Sequence, residues 1–260
     1  LSRGLGDVYK RQYYSSSAGL LFNKDKTVFV RYPAGKLLKE FNIPDGVNSI
    51  DTYAFKDCKN LTKITIPNSV TFIDDKAFYC CSSLVNITIP DSVNSIGNMT
   101  FFGCAIKNIN IPNSVTIIKR GAFWSCPSLT SINIPESVTS IDSIVLNECN
   151  NLKCVIINNP DCEIFDTEST ISETATIYGY ENSTAQAYAE RYCRRFVSIE
   201  DIGDISGNGE IDLYDAIEIS KAIMGLRTFT DEEMIIADFN MDGTVDLYDA
   251  IEIARTLLPK

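Results

Sequence analysis

One periodicity constrains this chain more than any other feature. Pro44, Pro67, Pro90, Pro112 and Pro135 fall 23, 23, 22 and 23 residues apart. Each follows an isoleucine: Ile43, Ile66, Ile89, Ile111, Ile134. Each is followed in phase by a valine and an isoleucine, from Val47/Ile50, Val70/Ile73 and Val93/Ile96 to Val115/Ile118 and Val138/Ile141. Cys58, Cys81, Cys104, Cys126 and Cys149 keep the same beat. Phe55, Phe78, Phe101 and Phe123 precede the first four by three residues, and Leu146 takes that place in the last unit. A unit of this length cannot bury its own apolar face, but stacked units turn each column into a buried ladder. The run from Leu61 to Ile66 alternates and is rich in β-branched residues, which predicts a short strand. The proline that follows cannot donate to a ladder and ends the pairing. Ala54–Phe55 and Ala77–Phe78 predict a turn or short helical return that puts an aromatic ring into the core.

Composition narrows the chemistry. The chain of 260 residues has no histidine. That excludes a Ser-His-Asp triad, a Cys-His pair and an HExxH zinc site, each of which needs an imidazole. Carboxylate-only catalysis survives this test. No run approaches the roughly 18 apolar residues of a membrane span. The net charge of −11 is unevenly placed. Residues 200–260 hold 15 acids and 4 bases, and 4 − 15 = −11, so residues 1–199 are neutral. An acidic segment of this kind repels nucleic acid and anionic lipid and suits a hard cation such as calcium. The split marks two domains with different tasks.

Within the repeats, the five in-phase cysteines read as small buried residues rather than as a disulfide or metal ladder. No CxxC pair occurs, and Cys80–Cys81 are neighbours whose side chains diverge. Cys154, Cys162 and Cys193 fall outside the column, and the sequence leaves their pairing open. Lys63/Thr65, Asn86/Thr88, Asn108/Asn110 and Ser131/Asn133 lie between the buried strand positions and should face the concave side. Two readings stand for these polar ladders: a docking surface for protein or glycan, or a solvated sheet face whose side chains bond to each other. Tyr79, Phe102 and Trp124 form a second aromatic column, either an exposed strip or rings packed on neighbouring turns.

The acidic tail carries the sharpest motif. Two twelve-residue loops, Asp204 to Asp215 and Asp238 to Asp249, place oxygen side chains at positions 1, 3, 5, 9 and 12 and glycine at position 6. This is the spacing of EF-hand calcium loops, in which alternate residues point inward and glycine permits the sharp turn. The candidate ligands are Asp204, Ser206, Asn208, Glu210, Asp212 and Asp215 in the first loop. Those of the second are Asp238, Asn240, Asp242, Thr244, Asp246 and Asp249. Two Ca2+ ions are expected. Ile211 and Val245 at position 8 should pair the loops or anchor them in a core. Position 12 is Asp rather than Glu, and each loop runs into the identical string DLYDAIEI, at 212–219 and 246–253. Thr230 and Glu233 have the spacing of a capping box for a linking helix.

The repeat units resemble the bacterial leucine-rich repeats of the BspA-like family. The segments Leu21 to Lys36 and Ala175 to Ala189 are similar to those that open and close such arrays. The resemblance covers roughly residues 18–199 and implies an α/β leucine-rich-repeat solenoid of about five units, capped at both ends. Ser183 and Gln186 have capping-box spacing, and Tyr188, Tyr192, Cys193 and Phe196 recur as on a terminal helix. The duplicated loop-helix resembles a type I dockerin over roughly 201–258, a small all-α calcium-binding module that plugs into a cohesin. In that family, partner choice is read from loop-helix positions 10, 11, 17 and 18. Here these are Leu213, Tyr214, Ser220 and Lys221, then Leu247, Tyr248, Ala254 and Arg255.

The resemblances together imply a secreted, non-catalytic binding protein. Its solenoid would recognise protein or glycan, and its dockerin would moor it to a cohesin in a cellulosome or surface complex. The alternative is a fragment of a dockerin-bearing glycoside hydrolase or peptidase. Residues 1–12, ending in Asp7 to Gln12, resemble a translated sequencing adapter and are set apart from the fold. The expected domains are then 13–199 and 200–260.

Overall fold

The computed structural model describes residues 14–17, 19–239 and 244–258. The adapter-like residues 1–12 lie outside them. Two compact units are present, Leu1–Phe196 and Val197–Lys260.

The first unit is a solenoid of about seven turns. Its first sheet is a parallel stack of short strands at Glu40–Asn42, Lys63–Thr65 and Asn86–Thr88, then Ser131–Ile134, Cys154–Ile157 and Thr176–Gly179. Hydrogen bonding divides this stack after Asn86–Thr88, and Asn110 pairs with Asn133 at the edge of the later group. The register is direct: Ile64 stands on Phe41 and under Ile87. At Lys63–Thr65 and Asn86–Thr88 the isoleucine is buried and its neighbours are exposed, while the strands from Ser131 onward are more deeply buried. A second series of two-residue strands runs from Ser49–Ile50 through Phe72–Ile73, Ser95–Ile96, Ile117–Ile118 and Ser140–Ile141 to Glu163–Ile164. An antiparallel arrangement of Tyr14–Ser17, Leu20–Asn23 and Val28–Arg31 opens the array, the last pairing in parallel with Ser49–Ile50.

The third side of each rung is neither strand nor helix. It is a run of turns held by rung-to-rung backbone bonds: Phe55 N to Ala77 O (2.7 Å), Phe78 N to Thr100 O (3.0 Å), Phe101 N to Ala122 O (2.8 Å) and Phe123 N to Val145 O (3.1 Å). A second line joins Asp57 N to Tyr79 O, Cys80 N to Phe102 O, Gly103 N to Trp124 O and Ser125 N to Asn147 O. These bonds hold two residues of each rung at positive φ. Tyr53, Lys76, Met99, Gly121 and Ile144 form one such column, and Asp57, Cys80, Gly103, Ser125 and Glu148 the other. A non-glycine residue there stores strain of order 1 kcal/mol or more, which the inter-rung bonds offset. Residues at positive φ cannot continue a right-handed helix, so the segment is a run of turns and not a short helical return.

The rings on this side stack as a rod. Phe29, Phe55, Phe78, Phe101 and Phe123 follow one another at 4.9, 5.1, 5.3 and 5.4 Å between centroids, nearly parallel. All five are fully buried. The spacing is the inter-strand repeat, which sits inside the range favoured by offset aromatic pairs. Beside the rod, four of the five column thiols donate to the phenylalanine carbonyl one rung back: Cys81 to Phe55 O (3.0 Å), Cys104 to Phe78 O (3.2 Å), Cys126 to Phe101 O (3.2 Å) and Cys149 to Phe123 O (3.1 Å), while Cys58 in the first rung turns to Lys56 O. None of the nine cysteines forms a disulfide, Cys154, Cys162 and Cys193 included. Burial pushes the Cys104 thiol up and that of Cys162 up to about 12, so both stay protonated and inert near neutral pH. Ser69, Ser92, Ser114 and Ser137 bond likewise to the carbonyls of Val47, Val70, Val93 and Val115. Tyr79, Phe102 and Trp124 are half-buried and pack on one another at 4.7 and 4.9 Å.

Helix α1 (Thr184–Arg191) lies at the C-terminal end of the array and buries Ala185, Tyr188 and Ala189. Ser183 accepts from Gln186 N as N-cap, while the Gln186 side chain accepts from Asn182 N. The helix is shorter than the spacing of Tyr188, Tyr192, Cys193 and Phe196 predicts. Cys193 takes φ +52°, Arg194 N returns to Ala189 O and Cys193 N to Glu190 O. That is a Schellman ending with cysteine in the place usually held by glycine. Phe196 therefore falls in a strand, Phe196–Ser198, and Cys193 is exposed.

Removing one ring from the middle of the rod tests this packing. Phe78→Ala should destabilise the solenoid by about 3–5 kcal/mol, measured by chemical denaturation. A near-neutral result would show that the ring column carries little of the stability.

Candidate functional site

The second unit is helical: α2 (Leu213–Ile223), α3 (Asp231–Ala237) and α4 (Leu247–Thr256). Its core is small, built on Ile205, Ala216, Ile219, Phe229, Ala237, Ala250 and Ile253, with Ile211 and Val245 packed against it. The two repeated helices α2 and α4 pack on each other. Both begin the same way. Asp212 accepts from Tyr214 N and Asp246 from Tyr248 N, while Asp215 and Asp249 reach back to the N-cap amides. The string DLYD is thus a capping box written with two aspartates. The shorter carboxylate at position 12 has this second task. The linking helix α3 has the box expected from Thr230 and Glu233.

The first loop gathers most of its predicted donors. Asp204 accepts from Ser206 Oγ (3.1 Å), Asn208 N (3.1 Å) and Gly209 N (2.7 Å). Asn208 accepts from Glu210 N (2.8 Å) and donates to Asp212 Oδ2 (3.2 Å). Asp215 is fully buried and accepts from Ser206 N (2.9 Å) and Asp212 N (2.7 Å). Gly209, at position 6, has φ +84°, a turn that favours glycine. The side chain of Glu210 is exposed. In the second loop Asp238 ends α3, Thr244 is exposed and Asp249 is fully buried. Asn240, Asp242 and Gly243 lie outside the described residues. Among the described residues no three His, Cys, Asp or Glu side chains form a ready metal cluster. The carboxylates of the first loop instead face backbone amides.

The donor chemistry nevertheless fits a hard cation. The predicted donors are all oxygen. A fully buried carboxylate met only by neutral amides is costly without a positive charge nearby, and Asp215 accepts two such amides.

The predicted partner residues sit on the outside of the helices. Leu213 and Tyr214 are 58% and 70% exposed, Leu247 and Tyr248 57% and 66%. Ser220 and Ala254 are half-buried, and Lys221 and Arg255 are exposed. Lys221 pairs with Glu218 at 2.7 Å, and Arg255 with Glu252. In the solenoid, Lys63, Thr65, Asn86, Thr88, Asn108 and Asn110 are exposed between buried isoleucines, while Ser131 and Asn133 are half-buried.

Two structural features were not anticipated from the sequence. Arg227 pairs with Glu218 and, at 2.6 Å, with Glu233, and its guanidinium lies 5.0 Å from the Phe229 ring centroid. It ties α2 to α3 and, with Lys221, holds the Glu218 carboxyl below its usual range. Gly203 has φ +101°, bonds to Ile236 O, and would place a Cβ 2.7 Å from the Phe239 ring. The glycine directly before Asp204 was the available signal.

Comparison with known proteins agrees with this architecture. The model of the BspA type leucine rich repeat region matches residues 34–153 and 71–177, with six copies. That of the dockerin type I domain matches 202–258. Such dockerins are generally calcium-binding. Among solved structures, a leucine rich cell surface protein from Faecalibacterium prausnitzii A2-165 is 28% identical with a TM-score of 0.51, over 61% of this chain and 41% of that one. The pneumococcal vaccine antigen PcpA is 22% identical with a TM-score of 0.61, over 72% of this chain and 48% of its own. The T. pallidum leucine rich repeat protein is 23% identical with a TM-score of 0.50, over 72% and 96%. The last two share the fold. The chain spans less than half the length of the first two. No curated protein matches it.

Asp215 separates a metal role from a capping role. If it serves the cation, Asp215→Asn should weaken calcium binding by roughly 10–100-fold in titration calorimetry. Unchanged affinity with a shorter or less stable α2 would assign the residue to the helix cap alone.

Proposed function

Because the chain belongs to the BspA-type leucine-rich-repeat family and carries a type I dockerin, we propose that it is a secreted, non-catalytic adaptor. Neither matched domain is catalytic. On this reading residues 13–199 recognise a protein or glycan. Residues 200–260 bind two Ca2+ ions through the twelve loop residues named above and moor the chain to a cohesin. The destination is a cellulosome or a surface complex outside the cell.

One observation carries the mooring. A Leu-Tyr pair stands exposed at the start of each of two helices that share an eight-residue string. A domain with so small a core has every reason to bury such residues. Leucine and tyrosine held in solvent on a capped, rigid helix are suited to anchor a partner. Ser220, Lys221, Ala254 and Arg255, one to two turns further on, would extend each contact.

The duplication makes a specific prediction. A half-turn of the module exchanges Leu213-Tyr214 for Leu247-Tyr248, so a matched cohesin has two equivalent ways to bind. Losing one of two equal modes removes RT ln 2, about 0.4 kcal/mol. Leu213→Asp with Tyr214→Ala should therefore keep affinity within about twofold, and so should Leu247→Asp with Tyr248→Ala. The fourfold variant should lose binding, since a charge in an apolar pocket has no partner. Loss of binding from one pair alone would show that the two faces are not equivalent.

A further inference from the structure

The leading edge of the first sheet carries a line of cations. Backbone bonds place Lys39 against Thr62, Thr62 against Val85, Lys107 against Thr130 and Thr130 against Lys153. These residues therefore share one column at the start of successive strands. Lys63 lies one residue inside it, paired with Glu40. Lys39, Lys63, Lys107 and Lys153 are all exposed. Glu40 is the one acid among the strand residues of this face, from the Lys39–Asn42 rung to the Lys153–Ile156 rung. The opposite edge, beyond the prolines, has the reverse sign: Asp45, Asp91, Glu136 and Asp161 are exposed there. Near-neutral overall, this part of the solenoid is strongly polarised across its sheet.

Lysines 39 and 153 are five rungs apart. At about 4.8 Å per rung the line is roughly 24 Å long. Between the lysines the exposed strand side chains are amides and hydroxyls such as Asn42, Thr65, Asn86, Thr88, Asn108 and Asn110. Val85 is the one large apolar side chain exposed on these strands. At the far end, Ser128, Thr130, Asn150, Asn151 and Thr174 line an open cleft of about 360 Å³ with Lys153 as its one charged residue.

We propose that this edge binds an extended acidic polysaccharide, its carboxylates pairing with Lys39, Lys63, Lys107 and Lys153 and its hydroxyls with the amide and hydroxyl ladder. The inference rests on the reading of the solenoid as a recognition module and supplies its ligand class. A protein partner is disfavoured along the strands because their one exposed aliphatic anchor is Val85, with Leu37 and Leu38 exposed only at the end of the line, just before Lys39. A regular polymer matches the regular rung spacing, and four of the six rungs from Lys39 to Lys153 present a lysine to it. The acidic far edge sets which side of the sheet the polymer follows.

The test uses the full chain in titration calorimetry with a soluble oligogalacturonate, its methyl ester and poly-glutamate of similar length. The acid should bind, the ester should bind markedly more weakly, and poly-glutamate should bind more weakly than the sugar. Lys107→Glu with Lys153→Glu should lower affinity for the acid roughly tenfold, two surface charge pairs having changed sign. Lys107→Gln with Lys153→Gln should fall between. Both pairs are exposed, so an unchanged thermal transition confirms that each variant is folded. Equal binding of acid and ester overturns the proposal, as does indifference to the lysine changes. Tighter binding of poly-glutamate overturns it in favour of an acidic protein. Binding of the ester alone overturns it while leaving a neutral-glycan module standing. Failure to bind any of the three also overturns it, and leaves the calcium and cohesin experiments unaffected.

Discussion

Direct rung-on-rung register is the constraint from which the solenoid follows. Each turn of chain stands on the turn before it with no lateral slip, so like residues meet like residues. Phe78 meets Phe55 and Phe101, Ile64 meets Phe41 and Ile87, and the thiol of Cys104 meets the carbonyl of Phe78. The two sheets supply part of the register. The turn side supplies the rest, because its backbone bonds to the neighbouring rungs at alternate residues. Those bonds are worth enough to hold Tyr53, Lys76, Met99 and even the β-branched Ile144 at positive φ. A column of cysteines is then what the geometry favours: a small apolar side chain with one weak donor, aimed at the one carbonyl it can satisfy.

The tail solves a different problem. Its core is a few aliphatic side chains and one phenylalanine, and it carries all of the net charge. Side-chain oxygens organise it instead. Asp204 closes the first loop on its own amides, Asp212 and Asp246 cap the helices, and Asp215 and Asp249 complete the caps from buried positions. Arg227 ties two helices through two glutamates. The same carboxylates that define the helix starts are those proposed to hold calcium. On the proposed reading, metal binding would be coupled through these caps to the presentation of Leu213-Tyr214 and Leu247-Tyr248.

Much of this was legible in the sequence because it is periodic. The isoleucine, valine, phenylalanine and cysteine columns could be read as a stacked core, and the twelve-residue spacing of oxygens as two loops. The capping box of α3 was readable from Thr230 and Glu233. What was not legible depends on bonds between rungs or between helices. Nothing about Lys76 or Glu148 as residue types signals a left-handed backbone. Only the amides and carbonyls of neighbouring rungs impose it. The end of α1 at Cys193 was hidden for the same reason, since glycine is the usual signal of such an ending. Nothing in the sequence marks Arg227; the fold brings Glu218 and Glu233 to it. The polarity of the first sheet was also missed. Its lysines are 24, 44 and 46 residues apart and align only when the rungs are stacked.

One part of the molecule is held by stacking, and the other is proposed to depend on a cation that cancels its charge. Differential scanning calorimetry of the whole chain, with calcium and then with chelator, tests that division most directly. It predicts two transitions: a small one that rises with calcium and falls with chelator, and a large one that stays where it is. A single transition that moves as a whole, or two that both ignore calcium, would contradict it.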